Sequence, residues 1–362
     1  MFWPAGVKKI FCIPLCAELH EGVEELRRFQ QKTPPQVDGQ PKVSITSLMA
    51  AMATELVPEL GRKCILVLDA YFAVGPVFSI LKTVRDATGR RLVHVVTRAK
   101  SNVVAYADAP PRTGLPGRPR IYGQKLKLTE LFDTNRASFE QTRIEIYGQT
   151  KNVAFLCLDL FWKPIGEKAR FVLVSDGAER FILIGSDLTL GAQDMIRTYS
   201  YRFKIEVSFK VIKHLIGTFC YRFWTHAWPG IGKANGSDLS KVHDRRKKRL
   251  IAETTNAIEA FVNFGCIATG ILQILALNYH ETIWKRYMGW LRTVSSTIPS
   301  EEVVQSVVQQ EYFHNFSDFS TDAIYRIIMS KRCGKQQESM PLAVWGRQNF
   351  GLSSFSMYVK NC

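Results

Sequence analysis

The sequence predicts an α/β protein whose core is interrupted by an antiparallel β unit and followed by a mainly helical C-terminal region. Three observations predict it. Apolar strand-like runs alternate with helical periodicity up to about residue 97. Short β-type runs separated by turn clusters fill residues 101–184. Beyond residue 187 the apolar spacing turns helical and stays so. Alternating strands and helices imply a layered α/β core, and closely spaced short strands imply antiparallel hairpins.

Each element has a local reason. Lys8 to Leu19 (KKIFCIPLCAEL) is rich in Ile, Phe, Cys and Leu and reads as a buried strand. Residues 30–42, with several Pro and Gln, read as a linker. Ile45, Leu48, Met49, Met52 and Leu56 recur at helical spacing, and Gly61 closes that helix. Cys64 to Leu68 is a continuous apolar run ending at Asp69, which suits a strand covered on both faces. Pro76 to Asp86 is the helix expected next, and Leu92 to Thr97 the next strand. Arg143–Tyr147, Val153–Phe161, Phe171–Ser175 and Phe181–Ile184 are the strands of the β unit. Asp176-Gly177 reads as a hairpin turn, and Asp187 as the N-cap of a long helix beginning near Leu188. Ala257 to Tyr279 is apolar enough to resemble a membrane span, but Glu259, Asn263 and Gln273 interrupt it, so a buried helix is expected. No internal repeat is visible.

Composition narrows the function. Lys and Arg number 48 against 32 Asp and Glu, a formal net charge of +16. Such an excess gathers polyanions, because cationic side chains displace condensed counterions from phosphates. Nucleic acid is therefore the leading partner. The eight cysteines form no CxxC pair and sit mostly in apolar runs, so reduced, buried thiols are expected rather than a disulfide framework. The seven histidines carry no zinc-type spacing.

The sharpest pattern is Tyr199-x2-Arg202-x3-Glu206-x6-Lys213. At about 100° per residue, all four fall in a sector roughly 60° wide. Ile205, Phe209, Ile212 and Ile216 form an adjoining apolar stripe, on which the helix is expected to pack. A carboxylate so aimed can hold a divalent metal, Arg and Lys can grip phosphates, and Tyr can hydrogen-bond or stack. A solvated helix face is the plainer alternative.

Y-x2-R-x3-E-x6-K resembles the signature of bacterial insertion-sequence transposases of the DDE superfamily, with Glu206 matching the catalytic glutamate. In CILVLDAYF, Asp69 matches the second aspartate, and VTRAKSNVVAY with GRPRIYGQKLKLTELF resembles the segment after it. The resemblance covers about residues 5–230. It implies an RNase H-like core in residues 1–100 and 186–235, a β-rich insertion in 101–185, and a helical region in 236–362. It further implies two Mg2+ ions (Mn2+ substituting) held by carboxylates, Asp69 and Glu206 among them. Arg202, Lys213 and Tyr199 would hold the DNA backbone. Transposon ends and target DNA would be the substrates, cut and joined by a homodimer on DNA, in a bacterial cytoplasm at the nucleoid and not at a membrane.

The family's first aspartate has no counterpart. No Asp precedes Asp38, which lies in the Pro/Gln-rich linker. The resemblance therefore implies that the first strand and its aspartate are missing and that the chain alone is inactive. A non-catalytic DNA-binding remnant is the alternative. Arg118 and Arg120, in GRPR, read equally as minor-groove contacts or a plain basic loop. Trp162 reads first as core, with stacking on a flipped base as the second option. Arg245 to Arg249 reads as a solvated basic run, with DNA contact as its alternative.

Overall fold

The computed structural model describes residues 10–19, 44–111, 120–146, 149–177, 179–223, 225–229, 242–292, 294 and 297–315. Its centre is one mixed sheet of eight strands: β1 (Cys64–Leu68), β2 (Val93–Arg98), β3 (Val104–Tyr106), β4 (Lys125–Lys127), β5 (Glu140–Ile146), β6 (Gln149–Trp162), β7 (Glu167–Ser175) and β8 (Arg180–Gly185). The order is β1-β2-β8-β7-β6-β3-β4, with β5 beside the first half of β6. Strands β1 and β2 are parallel, and β8 joins β2 antiparallel. The strands of residues 101–185 therefore extend the sheet that β1 and β2 begin.

Helices α1 (Ile45–Leu60) and α2 (Gly75–Lys82) cover one face. Ser44 caps α1 by accepting from the Ser47 amide, and Gly61 ends it at φ +59°, a conformation that favours glycine. The connection β1–α2–β2 is the crossover a parallel pair requires. Helix α4 (Ala192–Ser200) covers the opposite face, whereas the short α3 (Leu131–Thr134) packs Phe132 on the α1/α2 side. Strand β7 shows why its apolar run is continuous: Phe171 and Leu173 enter the core under α1 and α2, while Val172 and Val174 enter the one under α4. Each buried aromatic or aliphatic side chain of this kind stabilises the fold by about 1.5–3 kcal/mol. The Asp176-Gly177 turn joins β7 to β8 as expected. Asp176 accepts from the Glu179 amide at 2.8 Å, and Gly177 adopts φ +88°.

The helical region consists of α6 (Arg245–Asn278), α7 (His280–Arg286) and α8 (Glu301–His314). Its core joins Leu272, Ala276, Ile283, Ile298, Val303, Val304 and Val307 to Phe11. Phe11 reveals where the opening segment lies. Residues 12–19 have no strand partner; the segment runs antiparallel along α6. Cys12 O accepts from Gln273 Nε2 at 3.2 Å, Asn263 exchanges two 2.9 Å hydrogen bonds with the Ala17 backbone, and Glu259 accepts from the Leu19 amide. This corrects the expected sheet strand. The Cys12, Ala17 and Leu19 backbone groups, which a neighbouring strand would satisfy, are bonded instead by side chains of α6. The three polar residues that interrupt the apolar stretch of α6 are the ones that hold this segment.

Helix α6 also departs from expectation. It is long and apolar enough to cross a membrane, and only 39% of its most apolar 18-residue window is buried. One face is packed and the other is exposed. Cysteine burial is likewise uneven. All six described cysteines are free; Cys266 is buried, but Cys16 and Cys220 are exposed.

Candidate active site

Strand β1 sets the position of Asp69. Ile65 packs under α4, whereas Leu66 and Leu68 pack under α1 and α2. Side chains alternate along a strand, so position 69 falls on the α4 side, at the end where β1 and β2 finish. The backbone there is pinned. Thr97 Oγ1, fully buried, donates to Asp69 O at 2.9 Å, and the Asp69 carboxylate accepts from the Ala70 amide at 2.7 Å, opening a short 3-10 turn.

The helical run carrying the four-residue pattern approaches the same edge. Met195 of α4 sits against Gly185, and the Tyr199 ring lies 6.4 Å from that of Phe181. Because β8 is antiparallel to β2, the step from Gly185 to Phe181 leads toward the end of β2. The 3-10 turn Tyr201–Phe203 then lies against β1. Arg202 lies in that turn, and α5 (Lys204–Lys210), with Glu206, follows it directly. Arg202 Nη2 donates to Glu206 Oε1 at 3.3 Å. Lys213 follows, exposed, in a π-helical segment, Val211–Ile216.

The helix is not the uniform α-helix that the 60° sector assumes. A 3-10 turn tightens it before Glu206 and the π segment loosens it before Lys213; the two departures rotate side chains in opposite senses and partly offset. They do change the packing face. Ile205 and Phe209, expected in the packed stripe, are exposed together with Phe203 and Val207. The buried positions are Ser208, whose Oγ donates to Cys12 O at 3.0 Å, and Ile212. Tyr199 is half-buried against Phe181 and belongs partly to the core beneath α4.

A cavity of about 320 Å³ opens between Ala73, Lys100, Asn102, Tyr106, Trp162 and Lys163. The Lys163 ammonium lies 4.2 Å from the Tyr106 ring centre and 5.4 Å from that of Tyr122. Lys100 and Lys163 were missed in the sequence, although Lys100 lies within VTRAKSNVVAY and Lys163 directly follows Trp162. Only the sheet brings the end of β2 to the β6–β7 turn. Trp162 is 6% exposed and meets Phe78 edge to face at 5.2 Å, so most of its surface belongs to the core, as first read. Arg120 is exposed near Tyr122; Arg118 lies outside the described residues.

Asp187 belongs to the other end of the sheet. It does not cap a helix, since α4 begins four residues later than expected, after Gly191. Its carboxylate accepts from Lys63 Nζ at 2.6 Å and from the Thr189 amide and hydroxyl at 3.0 and 2.6 Å. Burial alone would raise its pKa, but those hydrogen bonds outweigh burial and hold it well below the usual carboxylate range. Lys63 directly precedes β1 and Asp69 directly follows it, so the two aspartates lie roughly 20 Å apart by strand rise. Asp187 cannot share a metal ion with Asp69.

Among the described residues no three His, Cys, Asp or Glu side chains group closely enough to hold a metal ion. Two carboxylates, one already paired with Arg202, do not furnish the oxygen set that a two-metal centre needs. No protein-family model matches this chain, and no curated protein shows significant similarity to it.

Proposed function

We propose that this chain is the RNase H-like part of a DDE-type DNA transposase, binding duplex DNA along the edge that carries Asp69, Arg202, Glu206 and Lys213. The observations supporting this reading are the contact of the Tyr201–Phe203 turn with β1, the strand that Asp69 directly follows, and the Arg202–Glu206 pair that continues from that turn. The formal charge of +16 and the cavity lined by Lys100 and Lys163 support phosphate contact. Arg202 and Lys213 would bind end-proximal phosphates, and Lys100 and Lys163 would extend the track.

Cleavage and strand transfer by Mg2+ would need more carboxylate than Asp69 and Glu206 supply, and no step of this reading runs through a metal ion. A second reading is a DNA-binding remnant that cannot cut. The two readings share binding and differ in cleavage. The purified chain should bind duplex DNA with strong salt dependence and leave supercoiled plasmid intact in Mg2+ or Mn2+. Replacing Arg202 and Lys213 with Ala should lower the salt slope by about one each. Failure to bind DNA at low salt would end both readings, and metal-dependent nicking would establish a complete active site.

A further inference from the structure

The face of α6 that receives the opening segment carries a thiol. Glu259, Asn263, Cys266, Gly270 and Gln273 are spaced four, three, four, three, so they form one row along the helix. Three of them bond the backbone of the segment: Gln273 at Cys12, Asn263 at Ala17 and Glu259 at Leu19. A fourth marks close approach, because a Cβ built on Gly270 would lie 3.3 Å from Ile13 Cγ2. Cys266, only 4% exposed, is the fifth member of the row.

These contacts fix the level of each residue in the segment. From Gln273 to Asn263 the helix rises about 15 Å at 1.5 Å per residue. The five steps from Cys12 to Ala17 span about 17 Å when extended, so each step passes about two residues of α6. Cys16, one step before Ala17, falls at the level of residues 265 and 266, beside Cys266. Both thiols are free. Their mutual influence agrees with this placement. Burial pushes the Cys266 thiol up, and the charge of Cys16 adds to it. Burial also raises the Cys16 thiol, with Glu18 and Glu55 of α1 adding to it. The segment reaches α5 as well, since Ser208 donates to Cys12 O at 3.0 Å. It is a strap between the helix that carries Glu206 and α6.

We propose that Cys16 and Cys266 are a redox-active pair, and that reaction with a low-molecular-weight disulfide joins them and fastens the strap. The exposed Cys16 attacks first as its thiolate, forming a mixed disulfide and releasing one small thiol. The Cys266 thiolate then attacks Cys16 Sγ and displaces the second. Two protein thiols are oxidised to one disulfide, the small disulfide is reduced to two thiols, and those thiols take up the two protons. Only thiolates attack, and both thiols are held up, so the reaction should be slow at neutral pH and quicken about tenfold per pH unit above it. It requires no DNA and stands independently of the transposase reading.

Glutathione disulfide added to the full chain tests it. Peptide mapping without reductant should find Cys16 joined to Cys266 within one chain, and dithiothreitol should separate them. The bond closes a loop of about 250 residues, so the melting midpoint should rise by about 5 °C or more. Cys266→Ser should leave glutathione trapped on Cys16, because the thiol that resolves the mixed disulfide is gone. Cys16→Ser alters an exposed side chain and should keep the fold while leaving Cys266 unmodified. A wild type in which glutathione stays on Cys16, or in which Cys16 joins any of the other six cysteines instead, overturns the pair. So does the absence of any reaction at alkaline pH. A joined chain that melts where the reduced chain does would overturn the strap.

Discussion

Strands β1 and β2 carry an aspartate at each end, and the two ends behave as opposites. At the start of β1, the Asp187 side chain is only 7% exposed, closed over by Lys63 and tied by Thr189. At the open finish, Asp69 is half-buried, and its carboxylate accepts from the amide of the next residue. A buried carboxylate must be paired, because an unpaired charge in the interior is costly, and once paired it serves the fold. A carboxylate left accessible at the end of a strand adds little to stability and keeps its oxygens for a ligand. The type of residue does not distinguish these two acids. What surrounds each of them does.

The largest test of that division lies at the open end. Trp162 and Lys163 are neighbours in sequence with opposite fates, one packed on Phe78 and one over the Tyr106 ring. Trp162→Ala should lower the free energy of unfolding by about 3–5 kcal/mol in urea titration, since it deletes an aromatic from the core. If it instead left stability intact and removed only DNA affinity, the tryptophan would belong to the site.

The closed end gives the next effect. Asp187→Ala removes the partner of Lys63 and should cost about 2 kcal/mol, less than a fully buried pair because Lys63 is 44% exposed and can turn toward water. The acid limb carries the sign. The folded-state pKa of Asp187 is depressed, so its contribution is present above the unfolded carboxylate value of about 3.9 and is lost as pH falls below it. The wild type should therefore lose stability below about pH 4 more steeply than Asp187→Ala. Parallel acid limbs would mean that the Lys63 pair contributes nothing.

Much of this organisation is written locally and some of it is not. The period of β1, the cap and stop of α1, and the Asp176-Gly177 turn depend on neighbours within a few residues, and the sequence displays them. The role of Asp187 depends on Lys63, 124 residues away, and a local reading that sees Asp before a helix assigns a cap. The opening segment presents an apolar run that suits a strand. Nothing in the run says that its backbone partners are Glu259, Asn263 and Gln273. Those three were visible as anomalies in an apolar helix, and their spacing on one side of it was the available signal. In the four-residue pattern, sequence identified the residues but assumed a regular helix. The run includes a 3-10 turn and a π segment, and it buries Ser208 and Ile212 while Ile205 and Phe209 stay exposed.

The smallest effect on stability is expected where the functional argument is strongest. Asp69→Asn and Glu206→Gln alter accessible carboxylates, and neither change removes apolar contact. Their effect on unfolding should stay within about 0.5 kcal/mol. Glu206→Gln weakens only an exposed 3.3 Å pair with Arg202, a class of interaction contributing about 0–1 kcal/mol. On DNA the same two changes act differently. Each removes a negative charge from an edge proposed to meet phosphates, and Glu206→Gln also frees Arg202 for them. Without divalent metal, the double variant should bind duplex DNA more tightly than the wild type, and the gap should narrow as salt rises and screens the edge. Equal affinities at low salt would mean that DNA lies elsewhere on the molecule, away from both Asp69 and Glu206.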